Sequence, residues 1–189
     1  MPKATIALIA HPQSPKWASG IRAAVAVERT VSGLELRYEL AGSLSVIVWP
    51  TSAEPRRADS LWQHTCFEAF VAAGGDNTYY EFNVSPSGAW AAYRFGGYRE
   101  RLADPELASP PRIDVRRLDD GVTADVVLTL EGVPRLKASM PLEVSVTAVI
   151  QGRSAALAYF ALAHPADQAD FHDRRGFLLT LAPAGGRAP

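Results

Sequence analysis

Four polar side chains in the middle of the chain have types and spacing suited to binding a ligand. Alternating apolar and polar residues over 66–72, 79–84 and 89–95 predict three strands, because every second side chain shares one face of a strand. The polar face of these strands is expected to carry Glu68, Glu81, Asn83 and Arg94. Carboxylate, amide and guanidinium groups form directional hydrogen bonds, which suit the hydroxyl groups of a sugar.

The turn between the last two of these strands should set their register. The sequence Ser85-Pro86-Ser87-Gly88 has Pro and Gly where a type I turn favours them, so a hairpin is expected. If Ser85 pairs with Gly88, Asn83 faces Trp90. This register would place Trp90 and Arg94 on the same face as Glu81.

Aromatic rings would complete such a site. Trp62 and Trp90 are expected to pack against the C–H faces of a sugar while the polar groups bind its hydroxyls. The same pattern also fits an ordinary solvated sheet face, on which an exposed salt bridge between Glu81 and Arg94 would contribute less than about 1 kcal/mol. A further alternative is an enzyme, because Glu68 and Glu81 could act as paired carboxylates in glycoside hydrolysis.

The elements that hold these residues are predicted to be almost all strands. Clear alternation marks 34–40, 122–130 and 142–151, and weaker alternation marks 21–28, 44–49, 112–118, 155–163 and 176–181. A helix has room only over 14–29 and 98–108, and neither stretch has good helical periodicity. About eleven antiparallel strands with one solvated face each predict an all-β fold, a single jelly-roll-like β-sandwich. It would span residues 1–182, followed by a disordered tail over 183–189.

Composition and charge argue against several classes of partner. The chain has 189 residues, 21% of them charged, and a formal net charge of −1, which disfavours nucleic acid. No apolar run reaches the roughly 18 residues of a membrane span. The apolar start over 4–10 is followed by no cleavage site for a signal peptide, and a lone Cys66 excludes an internal disulfide. We therefore expect a cytoplasmic protein that binds neither nucleic acid nor a membrane.

Histidine and aspartate side chains near the C-terminus are weak candidates for a divalent cation. His164, Asp170 and His172 supply enough donors, although their spacing matches no standard metal motif. A structural loop in which these side chains cap backbone groups is the other interpretation, so we expect no bound metal. Haem would need two facing axial ligands, and nothing in the sequence pairs the candidates His64, Met140, His164 and His172.

Three segments resemble the DOMON-like proteins of bacteria, which are grouped with carbohydrate-binding module family nine. They are LWQHTCFEAF at 61–70, YEFNVSPSGAW at 80–90 and ALAHP at 161–165 with DFH at 170–172. The family pattern has a Glu at the position of Glu68 and a Tyr-x-Phe-x-Val-x-Pro-x-Gly segment that matches Tyr80 to Gly88. His64 and Thr65 stand where the family has an acidic pair. The resemblance covers roughly residues 20–182 and implies a β-sandwich that binds sugar or, in other branches, haem.

The sequence thus predicts a non-catalytic domain that binds a small molecule, with a saccharide as the expected ligand. The predicted ligand-binding residues are Trp62, Glu68, Glu81, Asn83, Trp90 and Arg94. Three alternatives stay open at this point. They are an enzyme that uses Glu68 and Glu81, a haem-binding domain, and a partner-binding module that forms a homodimer through its aromatic face.

Overall fold

The computed structural model describes residues 4–51 and 54–184. Eleven strands form over this part of the chain. They are β1 (Ile6–Ala10), β2 (Ile21–Arg29), β3 (Gly33–Gly42), β4 (Cys66–Ala73), β5 (Tyr79–Val84), β6 (Trp90–Phe95), β7 (Arg112–Arg117), β8 (Gly121–Thr129), β9 (Leu142–Gln151), β10 (Leu157–Ala161) and β11 (Leu179–Leu181). The helical elements of the described ranges are short 3-10 turns at Lys16–Gly20, Leu44–Val46, Leu61–Gln63 and Arg174–Gly176.

The strands form two antiparallel sheets that share β1. The first sheet has the order β1-β2-β3-β8-β7, and the second has the order β6-β5-β4-β9-β10-β1. Ile6 to Leu8 pair with β2, whereas Ile9 and Ala10 pair with β10, so β1 passes from one sheet to the other. The short β11 pairs with the start of β9. This curled antiparallel arrangement confirms the predicted all-β sandwich.

The main core lies between the two sheets, where the alternating apolar faces meet. Leu36 and Tyr38 of β3 point into it from the first sheet, and Phe67 of β4 does so from the second. The Tyr38 ring lies 4.6 Å from that of Phe67, and its hydroxyl donates a hydrogen bond of 2.7 Å to the backbone carbonyl of Glu68. This contact fixes the strand that carries Glu68 against the opposite sheet.

The outer face of the second sheet is covered, and here the sequence prediction of one solvated face per strand is wrong. Every residue of β4 and β5 is buried. Phe70, Tyr79 and Phe95 of this face form a second apolar cluster with Phe177, and Phe171 packs against the cluster. The period-two pattern of β4 and β5 does not predict this cover, because the segment with Phe171 and Phe177 lies about ninety residues further along the chain.

Several predicted elements differ in detail from the structure. The apolar start over 4–10 contains β1, and 44–49 forms a 3-10 turn with one isolated bridge between Ile47 and Gly152 instead of a strand. Gly42, with a φ of 99°, turns the chain at the end of β3 and so ends the pairing there. Neither 14–29 nor 98–108 forms an α-helix, and none of the described helical elements is long or apolar enough to cross a membrane.

The C-terminal tail was predicted to be disordered over 183–189. The Ala184 amide donates to the Ala138 carbonyl at 2.8 Å, so the first part of this stretch contacts the domain. The rest of the predicted tail, 185–189, lies outside the described residues.

The hairpin of β5 and β6 has a register that differs by one residue from the prediction. The Ser85 amide pairs with the Ala89 carbonyl at 2.8 Å, and Gly88, with a φ of 92°, is the extra residue of a bulged turn. Asn83 therefore faces Ala91, and Val84 faces Trp90. A shift of one residue moves every side chain to the other face. Trp90 and Arg94 consequently lie on the face opposite to Glu81, and their predicted place beside it is wrong.

Candidate functional site

A cavity of about 430 Å³ lies on the outer face of the second sheet. Glu68 of β4 and Glu81 of β5 form its floor together with aromatic rings of β4 and β6. Two connecting segments and the loop after β6 build its walls. The side chains that line it include Asp59, Trp62, Glu68, Phe70, Glu81, Tyr93, Phe95, Arg99, Arg101, Phe171 and His172.

Glu68 is a buried carboxyl group with one oxygen that lacks a partner. Its side-chain Oε2 accepts a hydrogen bond of 3.1 Å from the Thr147 hydroxyl. Its Oε1 is fully buried and has no hydrogen-bond partner within the described part of the chain. Burial, and then the neighbouring charge of Glu81, raise the pKa of Glu68 well above its ordinary value, which favours the protonated acid.

Glu81 has a more polar environment than Glu68. Its Oε1 accepts a hydrogen bond of 2.7 Å from the Asn83 amide, and its Oε2 lies 3.7 Å from His172 Nε2. Burial raises the pKa of Glu81, whereas the hydrogen bond from Asn83 and the charges of Arg99 and Arg101 act against that rise. The rise in the pKa of Glu81 is therefore opposed by more neighbouring groups than the rise in the pKa of Glu68, which only the Thr147 hydrogen bond opposes.

A hydrogen-bonded chain fixes the orientation of His172. The Tyr79 hydroxyl lies 2.8 Å from His172 Nδ1 and accepts a hydrogen bond of 3.1 Å from the Arg99 amide. Because Tyr79 is fully buried, its single hydroxyl hydrogen needs an acceptor, and Nδ1 is the one in reach. We therefore assign the hydrogen of the neutral ring to Nε2, which faces Glu81. Burial lowers the pKa of His172 to about 4, so the ring is neutral at neutral pH.

The pKa of His172 predicts how acid affects the protein. A ring whose pKa is lower in the folded than in the unfolded state stabilises the fold fully above about pH 6.5, and this contribution is lost as the pH falls toward 4. The unsubstituted protein should therefore lose up to about 3 kcal/mol of its free energy of unfolding between these pH values, and we expect His172→Gln to lack this loss. Urea unfolding of His172→Gln and of the unsubstituted protein at several pH values from 7 to 4 measures this difference.

His64 offers a matched control for this measurement, because it is exposed and hydrogen-bonds Gln151 at the surface. His64→Gln should leave the acid limb of the stability profile unchanged. An identical acid limb in His172→Gln and the unsubstituted protein would contradict the assignment of a neutral buried ring.

Two arginines that the sequence analysis missed line the cavity from the loop after β6. Arg99 Nη2 lies 2.9 Å from Asp170 Oδ1, and Arg101 Nη2 lies 3.1 Å from Asp104 Oδ1. The Arg101 guanidinium also lies over the Tyr93 ring at 4.4 Å. The only local signal for them was a pair of basic residues after a strand, and that pattern is common on surfaces.

The structure brings together some of the predicted site residues and separates others. Glu68, Glu81 and Trp62 line one cavity, with the Trp62 side chain still 47% exposed at its edge. Asn83 is completely buried beside Glu81 and acts as a positioning residue. Trp90 packs against the main core, and Arg94 lies near Tyr80 on that opposite face.

The candidate metal ligands do not converge. Among residues 4–51 and 54–184, no group of three or more His, Cys, Asp or Glu side chains is arranged to hold a metal ion. His164 Nε2 lies 2.8 Å from the Ile9 carbonyl, whereas Asp170 binds Arg99 and accepts a hydrogen bond from the His172 amide. These contacts are those of a structural loop whose side chains bind backbone groups and a neighbouring arginine.

The haem candidates also lie apart. His64 is on the surface beside Gln151, and Met140 is 36% exposed beside a different cavity, which Gly74 and Arg135 also line. Only His172 of the four candidate ligands lines the cavity over Glu68 and Glu81.

The fold and this covered sheet face define the protein as an antiparallel β-sandwich with a cavity on the outer face of its second sheet. No protein-family model matches the chain, and no curated protein matches it. Solved structures do share its fold.

One similar structure is the "putative carbohydrate-binding protein" of Bacteroides uniformis ATCC 8492. It superposes with a TM-score of 0.67 at 13% sequence identity, over 92% of this chain and 84% of that chain. Another is a carbohydrate-binding module of family 9 from Caldicellulosiruptor kristjanssonii. Its complex with glucose has a TM-score of 0.52 at 12% identity, over 100% of this chain and 84% of that chain. Its complex with cellotriose has a TM-score of 0.51 at 12% identity, over 85% and 72%. At these identities the comparisons establish a common fold with carbohydrate-binding modules.

Proposed function

We propose that this chain is a non-catalytic domain that binds a saccharide in the cavity over Glu68 and Glu81. The observation that carries the proposal is that buried carboxyl groups, arginines and aromatic rings line one cavity of about 430 Å³. This volume lies toward the lower end of the range of about 300–1,000 Å³ that small-molecule sites occupy, and it suits a monosaccharide or one end of a longer glycan. The fold shared with carbohydrate-binding modules supports the proposal, as does the resemblance of three sequence segments to DOMON-like proteins.

The lining groups can bind both surfaces of a sugar ring. Hydroxyl groups of the sugar donate to Glu81 and to Glu68 Oε1, which has no hydrogen-bond partner among the described residues. Arg99 and Arg101 donate to hydroxyl or ring oxygens at the cavity edge. The C–H faces of the sugar pack against the rings of Trp62 and Tyr93.

Two tryptophans on opposite faces of the sheet test where the ligand lies. We expect Trp62→Ala to weaken saccharide binding about tenfold, because it removes an exposed ring at the cavity edge. Isothermal titration calorimetry with glucose, cellobiose and glucosamine measures the affinity. Trp90→Ala is the control, because that ring packs against the main core and should leave the affinity of the folded protein unchanged. Weaker binding in Trp90→Ala with normal binding in Trp62→Ala would contradict this location.

An enzyme is the second candidate function, and one specific observation favours it. Glu68 and Glu81 line the same cavity, and burial raises the pKa of both carboxyl groups, that of Glu68 well above its ordinary value. In glycoside hydrolysis a raised pKa suits a general acid, which is the role that Glu68 would have beside Glu81 as the second carboxyl group. Incubation with p-nitrophenyl glycosides separates the two candidates, because an enzyme releases nitrophenol and loses this turnover in Glu68→Gln while binding persists. A binding domain releases none.

A further inference from the structure

The arginines around the cavity already have acidic partners. Arg99 pairs with Asp170, and Arg101 pairs with Asp104. Asp59, which also lines the cavity, accepts a hydrogen bond of 2.9 Å from the Tyr93 hydroxyl and lies 3.5 Å from Arg57. The positive charges at the cavity edge are therefore largely balanced by aspartates.

Among the described residues, neither Glu68 nor Glu81 forms an ion pair with an arginine or a lysine, although the charges of Arg99 and Arg101 act on Glu81. Their contacts in the described structure are the Thr147 hydroxyl, the Asn83 amide and the neutral ring of His172. These two side chains are only 2% and 6% exposed, so water does little to stabilise a charge on either of them. The cavity floor therefore has an excess of carboxyl groups over cationic partners.

When both glutamates are charged, the floor also has an excess of hydrogen-bond acceptors over donors. Glu68 Oε1 is buried at the cavity and unpartnered among the residues described. Asn83, which pairs with Glu68 across β4 and β5, donates its amide hydrogen to Glu81 instead. A ligand that satisfies this floor must supply both hydrogen-bond donors and positive charge.

We propose that the saccharide which this cavity binds carries a protonated amino group, and that this ammonium group lies between Glu68 and Glu81. The inference rests on the proposed function and narrows its ligand to amino sugars. An ammonium group offers three donors, one of which can satisfy Glu68 Oε1. Its charge favours loss of the proton that burial keeps on Glu68 and then stabilises both carboxylates at once, which no neutral hydroxyl does. The rings of Phe95 and Phe171, which line the same cavity, favour a cation at their faces.

Calorimetry with three related sugars at about pH 6 tests this proposal, since primary amines of this kind are protonated there. D-glucosamine carries the ammonium group, D-glucose has a hydroxyl at that carbon, and N-acetyl-D-glucosamine has a neutral amide. We expect glucosamine to bind at least about tenfold more tightly than either of the other two, because charge-assisted hydrogen bonds to buried carboxylates are strong.

Variants connect this preference to the two glutamates. Glu68→Gln and Glu81→Gln should each bring the affinities for the three sugars close together, because each removes a carboxylate from the floor. Glu106→Gln, which changes an exposed glutamate elsewhere, should keep the full preference. Equal binding of glucose and glucosamine by the unsubstituted protein overturns the amino-sugar proposal and leaves saccharide binding intact. A preference for glucosamine that survives in both Glu68→Gln and Glu81→Gln also overturns the amino-sugar proposal. If the unsubstituted protein binds neither these three sugars nor cellobiose, the proposed function itself is overturned.

Discussion

Replacing Phe70 with alanine is expected to lower the free energy of unfolding by about 3–5 kcal/mol and to loosen the cover of the cavity. Phe70 is 1% exposed at the centre of the outer sheet face. Its ring lies 5.3 Å from that of His172, 6.0 Å from that of Phe177 and 6.3 Å from that of Phe171. These contacts attach the segment 171–177 to β4, so the truncation removes both core packing and the support for one cavity wall.

A second phenylalanine, on the opposite face of the same strand, supplies the control. Phe67 is equally buried but points into the main core between the sheets, so Phe67→Ala should cost a similar amount of stability. Urea unfolding measures both losses, and amide hydrogen exchange under native conditions measures local opening. We expect faster exchange over 171–177, relative to the rest of the chain, in Phe70→Ala alone. Equal exchange over this segment in both variants would show that Phe70 does not hold the cover.

Replacing Glu68 with glutamine is expected to stabilise the protein, by about 1–3 kcal/mol at neutral pH. In the unsubstituted protein the fold must either bury a charged Glu68 beside Glu81 or hold a proton on it. Glutamine resembles the protonated acid in shape and carries no charge. Its amide can also donate to Asn83 Oδ1, which is buried without a donor within the described structure.

The pH dependence of this gain follows from the direction of the pKa shift. A carboxyl group whose pKa is higher in the folded than in the unfolded state binds more protons in the folded state. Stability therefore falls as the pH rises above the ordinary value of 4.5 and through the raised pKa. Glu68→Gln lacks this loss because glutamine does not titrate. The gain in the free energy of unfolding of the variant should therefore be smallest near pH 4.5 and should grow toward pH 8. Unfolding by urea at several pH values measures the difference, with Glu106→Gln as the surface control.

A stability gain that is independent of pH, or a loss at pH 8, would contradict the buried-acid interpretation of Glu68. The expected gain bears on function, because a side chain that costs the fold stability needs another reason to be present. Binding and catalytic sites commonly carry such costs. Together with the cavity that Glu68 lines, a measured gain would strengthen the proposed site.

The residues that the sequence placed correctly are those whose position depends on local periodicity. Alternation along β4 was enough to put Phe67 in the core and to put Glu68 and Phe70 on the other face. The same alternation on β5 placed Glu81 beside them. The predicted register of the hairpin was wrong because it depends on the backbone conformation of Gly88, whose positive φ adds a residue to the turn. The added residue moves Trp90 and Arg94 to the core side of the sheet.

The sequence by itself therefore determined the all-β class, the antiparallel pairing and the common face of Glu68 and Glu81, because a period of two residues is a property of the local chain. Only the tertiary structure decided that this face is covered and forms a cavity. The side chains that cover it, such as Trp62, Arg99 and Phe171, come from loops far apart along the chain. Their positions depend on packing between distant segments, and no pattern within any one segment encodes that packing.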